Sequence, residues 1–180
     1  MSDIPVSPGL GRNRGFSLIE LLIVVAIILV IAAVAIPSMV RARMAANESS
    51  AASAVRTITV AEIVYYNNYP TIGYANQLPD LGRTAPCTPA PSHACLLDNN
   101  LANALPGTTG HSGYQFLATG IAAGSPLNTA FVTGGTPTGP NKTGARDFCA
   151  TTDGVLRSQN TTGGTPPNTV APCLAYPVAR

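Results

Sequence analysis

The residues able to do chemistry are concentrated at one junction, Arg12-Asn13-Arg14-Gly15-Phe16-Ser17-Leu18-Ile19-Glu20. Basic residues end at a glycine, and an apolar run follows that holds a single carboxylate, Glu20. From Phe16 to Ile36 no other residue is charged. A carboxylate inside such a run costs roughly 2.5–3.5 kcal/mol to insert into a bilayer and marks function rather than packing. A charge held in such a run calls for a positive partner. In a bundle of staggered helices, a cation of one chain can meet Glu20 of another at low dielectric. Loss of either partner would then strand a buried charge, and the pair would set stagger as a buried polar residue sets coiled-coil register.

The element that must position Glu20 is a helix. At 1.5 Å of rise per residue, residues 16–36 span about 32 Å, enough for a hydrocarbon core of about 30 Å. An ordinary secretory signal would have a shorter core of about 7–15 residues, with its small-residue cleavage site after it. A plain anchor fits the length but leaves Glu20 and the Arg-Gly-Phe junction unexplained.

The nonapeptide and the run behind it, residues 9–37, resemble the class III signal of type IV prepilins and type II secretion pseudopilins. The resemblance implies that a membrane prepilin peptidase cuts at Gly15–Phe16 and methylates the new Phe16 amine. It further implies that Glu20 pairs with the amine of a neighbouring subunit and that Pro37 is a helix-kinking proline. It implies assembly on an inner-membrane platform into a helical homo-oligomer.

Two of the ten Lys and Arg (Arg12, Arg14) and one of the eight Asp and Glu (Asp3) precede Phe16, so a chain cut there has eight cations against seven anions. Charge is only 10% of residues, and no basic stripe is present, which argues against phosphate-directed nucleic-acid binding. Arg12 and Arg14 mark the cytoplasmic side, and residues beyond Pro37 then lie in an oxidising compartment. Cys87, Cys95, Cys149 and Cys173 are read as two disulfides; of the three possible pairings, the local one, Cys87–Cys95 with Cys149–Cys173, is preferred.

Four regions are expected: a leader (1–15), a transmembrane and filament-core helix (16–37), an amphipathic continuation (38–69) and a globular head (70–180). In the continuation, Met44, Ala51, Val55, Ile58, Ala61 and Tyr65 recur at helical spacing, with Arg56 and Glu62 assigned to solvent or a neighbour. Pro70 closes the helix. Tyr65, Tyr66 and Tyr69 are read as packing residues. Residues 94–105 read as a short helix with Leu97, Leu101 and Leu105 on one face. Strands are expected at 114–119, 130–133, 146–150 and 154–157, the last two joined by a Thr152-Asp153-Gly154 turn. Residues 158–180 read as a surface loop tied down by Cys173. The fold class is α+β: a long helix packed against a small antiparallel sheet, which also resembles the pilin ladle. The 113–116 and 148–155 stretches resemble strand segments of pseudopilin-like proteins.

No catalytic constellation is present, so an anchored envelope enzyme is disfavoured. His93, between Cys87 and Cys95, lacks the paired Cys-x-x-Cys of a structural zinc site, and His111 reads as a loop residue. Asp98 with Asn99 and Asn100, or Asp147 with Asp153, could offer oxygen ligands to calcium, but neither has EF-hand spacing; no cofactor is assigned. Asn47, Asn141 and Asn160 begin Asn-x-Ser/Thr triplets, which chance alone supplies in so polar a chain. The reading is a pilin stored as a single-pass inner-membrane protein and polymerised into an extracellular pilus, of the kind that serves adhesion, twitching motility or DNA uptake. The alternative is a pseudopilin of a periplasmic type II secretion filament.

Overall fold

A computed structural model describes residues 15–179. The leader residues before Gly15, among them Arg12 and Arg14, lie outside the described residues. The first element is helix α1, Leu18–Asn68, which contains Pro37. Two compact units divide between Met39 and Val40.

In the first unit the helix carries an unbroken apolar surface. Phe16, Leu18, Leu22, Ile28 and Val34 are all exposed, and every residue from Gly15 to Met39 is exposed except Ala32, which is half-buried. By length and composition this segment can cross a membrane.

In the second unit α1 lies against the core. Ala51, Ala54, Val55, Ile58, Ala61 and Tyr65 are buried together at the expected spacing. Strands β1 (Tyr114–Ile121), β2 (Ala130–Pro137), β3 (Arg146–Thr151) and β4 (Arg157–Asn160) form an antiparallel meander in chain order. Side chains alternate across a strand. Tyr114, Phe116 and Ala118 of β1 and Phe148 and Ala150 of β3 therefore join the α1 residues in one core. Gly135 sits opposite Phe116 in the β1–β2 register, where a Cβ would crowd the Phe116 ring and approach Val55 of α1. The other face of the sheet buries Val132 and Cys149 against Cys173 from the C-terminal segment. The sheet is thus covered on both faces.

Three sequence expectations need correction. The 94–105 helix shrinks to α2, Asn99–Ala102, capped by Asp98 Oδ1, which accepts the Leu101 N–H at 3.0 Å. Upstream of it, Cys95 has φ +62°, and the amides of Ala94, Cys95, Leu96 and Leu97 donate to Asp80, Gly82 and Leu81 carbonyls around a 3₁₀ turn, Leu78–Leu81. Those amides are committed to another segment, so they cannot enter a helix. The last strand does not start at Gly154. Gly154 lies in the turn with φ +70°, its N–H donating to Thr151 O, and pairing resumes only where Arg157 faces Cys149. The 158–180 tail is not loop throughout: it contains the end of β4 and a short helix α3, Val170–Leu174.

Candidate functional site

Gly15 and Phe16 precede α1 and are exposed, with open space around the Gly15 Cα. Ser17 occupies the position before the first helical residue, and its backbone N–H donates to Glu20 Oε2 at 3.1 Å. The Glu20 and Leu21 amides donate to Ser17 O, closing the first turn. A carboxylate at the third helical position reaching back to the preceding amide is half of a capping box. Ser17-Leu18-Ile19-Glu20 has the Ser-x-x-Glu spacing that marks such a start, a signal the sequence reading did not use. Within one chain, then, Glu20 satisfies an orphan helix-start donor in an apolar setting, where unsatisfied donors are costly. Gly15, Phe16 and Glu20 lie within about one helical turn of each other by sequence. Pro37, near the other end of the run, removes one donor from the helix ladder.

In the head, Cys87 is bonded to Cys95 and Cys149 to Cys173. The second bridge joins β3 to α3 across the covered outer face. The two histidines stay apart from any metal-like arrangement, and among the described residues no group of three His, Cys, Asp or Glu could hold a metal ion. His93 Nδ1 shares a 2.8 Å hydrogen bond with the Ser92 hydroxyl. The two acidic sets weighed for calcium are occupied otherwise. Asp98 caps α2. Asp153 is held by Arg157 through two bonds, 3.1 Å from Nη1 and 2.5 Å from Nη2, and those bonds pull its carboxyl down to about 2. Asp147 is buried on the outer face, where desolvation raises its carboxyl pKa despite bonds from Thr161 and Thr162.

Two acidic residues of α1 matter more than the sequence suggested. Glu48 is buried: its Oε1 accepts the Ala145 N–H and its Oε2 the Arg146 guanidinium, each at 2.8 Å. Glu62, expected to face solvent or a neighbour, is fully buried. Its Oε2 accepts the Ala75 N–H at 2.9 Å. Desolvation, above all, pushes its carboxyl up to about 8. The signal was present in the spacing: Glu48 follows Met44 by four, and Glu62 follows Ile58 by four, so both stand on the apolar stripe. Of the tyrosines, Tyr65 is buried and donates to Pro91 O at 2.8 Å, and Tyr66 is exposed but stacks near Tyr74.

Comparison with known proteins bears on the N-terminal part. Residues 10–36 match the family model described as the prokaryotic N-terminal methylation motif. The type IV major pilin protein PilA of Myxococcus xanthus (strain DK1622) is 41% identical over 56 residues, a stretch that makes up 31% of this chain and 26% of that protein. The match thus spans about a quarter of its relative. No solved structure matches the chain. Residues 10–36 thus carry an N-terminal methylation motif, and a 56-residue stretch of the chain is similar to a type IV major pilin.

Proposed function

We propose that this chain is a structural subunit, a pilin, that polymerises into an extracellular type IV pilus after cleavage at Gly15–Phe16 and methylation of the Phe16 amine. One observation carries the reading: an apolar helical surface from Phe16 to Ile36 is exposed along its length and contains a lone carboxylate one turn from the cleavage position. Such a surface requires lipid or other copies of itself. Before assembly the bilayer supplies that cover, with the head outside the cytoplasm. In the filament neighbouring helices supply it, and Glu20 meets the amine of another subunit. The similarity of a 56-residue stretch to a type IV major pilin supports the pilin reading. The head forms the outer surface and has no catalytic part.

The test is to shear cells, collect the extracellular filaments and measure the intact mass of this protein in them. The expected species begins at Phe16, is one methyl heavier than the bare chain and four hydrogens lighter for its two disulfides. The same species confined to the envelope would transfer the reading to a pseudopilin. An uncut chain in both fractions would overturn both.

A further inference from the structure

The mechanism of assembly makes no use of Glu62, the most deeply buried acid among the described residues. It stands on the core face of α1 between Ile58 and Tyr65, with no exposed surface. One oxygen, Oε2, takes the amide of Ala75, on the segment that leaves the helix after Pro70. The other, Oε1, is buried with no hydrogen-bond partner. The ionisable groups around it are Asp80 from the 3₁₀ turn, Tyr65 on α1 and Tyr74 on the exit segment; none of the three is a cation. Asp80 is itself buried. The salt bridges Glu48–Arg146 and Asp153–Arg157 of the head involve other carboxylates. A carboxylate ion in this position would lack a counter-charge and would leave one oxygen unsolvated. A neutral carboxyl bears a much smaller desolvation cost and still accepts the Ala75 amide.

The other hydrogen bonds of the exit segment run within it and to the sheet side. Ile72 and Gly73 amides close a turn onto Tyr69 O, and Tyr74 and Asn128 exchange amide bonds with each other's neighbourhood through Asn128 O and Ile72 O. The Asn128 side chain adds bonds to Tyr74 O and to Asn76 Oδ1. Glu62 adds a hydrogen bond from this segment to the helix itself, beside the ring contact of Tyr66 with Tyr74.

We propose that Glu62 is a proton-operated latch: as a neutral carboxyl it fastens the segment around Ala75 to α1, and loss of its proton on opening makes that fastening weaker as pH rises. The sign follows from linkage. A carboxyl that is harder to ionise in the closed state binds a proton there that the open state releases. The closed state is therefore fully favoured below the ordinary glutamate range. It loses ground between about 4.5 and about 8, and the loss levels off above that. Within that window opening becomes easier by up to about tenfold per pH unit. The device is independent of the assembly reading, since it operates inside one head.

The experiment uses the full chain in detergent micelles. Hydrogen-exchange protection at the Ala75 amide, normalised for the intrinsic pH dependence of exchange, is followed from pH 5 to 8 in the wild type and in Glu62→Gln. The glutamine keeps a carbonyl for the Ala75 amide and cannot titrate. Protection is expected to fall with pH in the wild type and to stay level in the variant. Equal slopes would overturn the latch. Carbon-13 titration of the wild-type carboxyls gives a second reading that does not depend on the variant folding. A Glu62 signal that titrates in the ordinary glutamate range would overturn the proposal, and one that titrates well above the other glutamates would uphold it.

Discussion

The Glu20 carboxylate accepts the backbone N–H of Ser17 at 3.1 Å, within the first turn of the helix it begins. This gives Glu20 a local task besides any pairing between subunits, and the two can be separated. Glu20→Gln keeps an acceptor for Ser17 and removes the charge. Glu20→Ala removes both. We expect both variants to be processed and inserted, and both to be missing from sheared filaments. Filaments formed by Glu20→Gln but not by Glu20→Ala would show that helix capping, not charge, is the essential contribution.

The clasp between Glu48 and the start of β3 is asymmetric in burial. The Glu48 side chain is 11% exposed and that of Arg146 45%. Glu48→Ala strands the Ala145 amide and should cost about 2 kcal/mol. Arg146→Ala leaves Glu48 its Ala145 bond and removes a half-exposed partner, so about 1 kcal/mol or less is expected. Thermal unfolding of the two variants in the same detergent checks the order, and equal losses would refute it.

Two glycines should respond for different reasons. A Cβ at Gly144 would collide with the Tyr114 ring and hydroxyl, which donates to Arg146 O at 2.9 Å. Gly144→Ala therefore displaces a buried aromatic, at about 1–3 kcal/mol. Gly154 has open space around it but φ +70°, so Gly154→Ala costs only backbone strain, about 1 kcal/mol. Melting temperatures should rank them in that order.

Asp153 and Glu62 should bend the pH profile in opposite directions. Arg157 lowers the Asp153 carboxyl to about 2, so its stabilisation is present above the ordinary aspartate range and disappears as pH falls through about 2. The side chain is 37% exposed, so solvent screens the pair and about 0.5 kcal/mol is a generous expectation. Asp153→Asn should differ from the wild type at pH 6 and converge on it near pH 2. A gap that widens on acidification would contradict the assignment.

What could be read in advance follows the strength of the local signal. The apolar run with its lone acid, the helical stripe to Tyr65 and the alternation around Phe116 are each repeated several times over, and each corresponds to an element of the structure. Residues 94–97 belong to the stretch with the Leu97, Leu101 and Leu105 spacing, yet their amides are taken by carbonyls of Asp80, Leu81 and Gly82 at the 3₁₀ turn, a tertiary demand with no local trace. The Asp-Gly turn was legible, whereas the length of its loop was not, because Leu156 is drawn into the core rather than into a ladder. Glu62 was assigned to solvent or a neighbour for a different reason, charge being given precedence over spacing, and Glu48 was given no place. Their place on the stripe was visible, but their partners, Ala145, Arg146 and Ala75, lie in other segments.

The meander has a consequence for the order of events during synthesis. Each strand pairs with its neighbour in the chain, so the sheet can form by short loop closures. The clasp from Arg146 to Glu48 bridges 98 positions. The helix therefore emerges from the ribosome long before β3 exists to meet it. Until then the core around Val55 and Ile58 lacks Phe148 and Ala150, and Glu48 has no guanidinium. A nascent chain halted before Ala145 would hold every residue of α1 and still lack Phe148, Ala150 and Leu156, which complete the core against it, and both partners of Glu48. Completion of the helix's cover is thus timed by the arrival of a strand from the last quarter of the polypeptide.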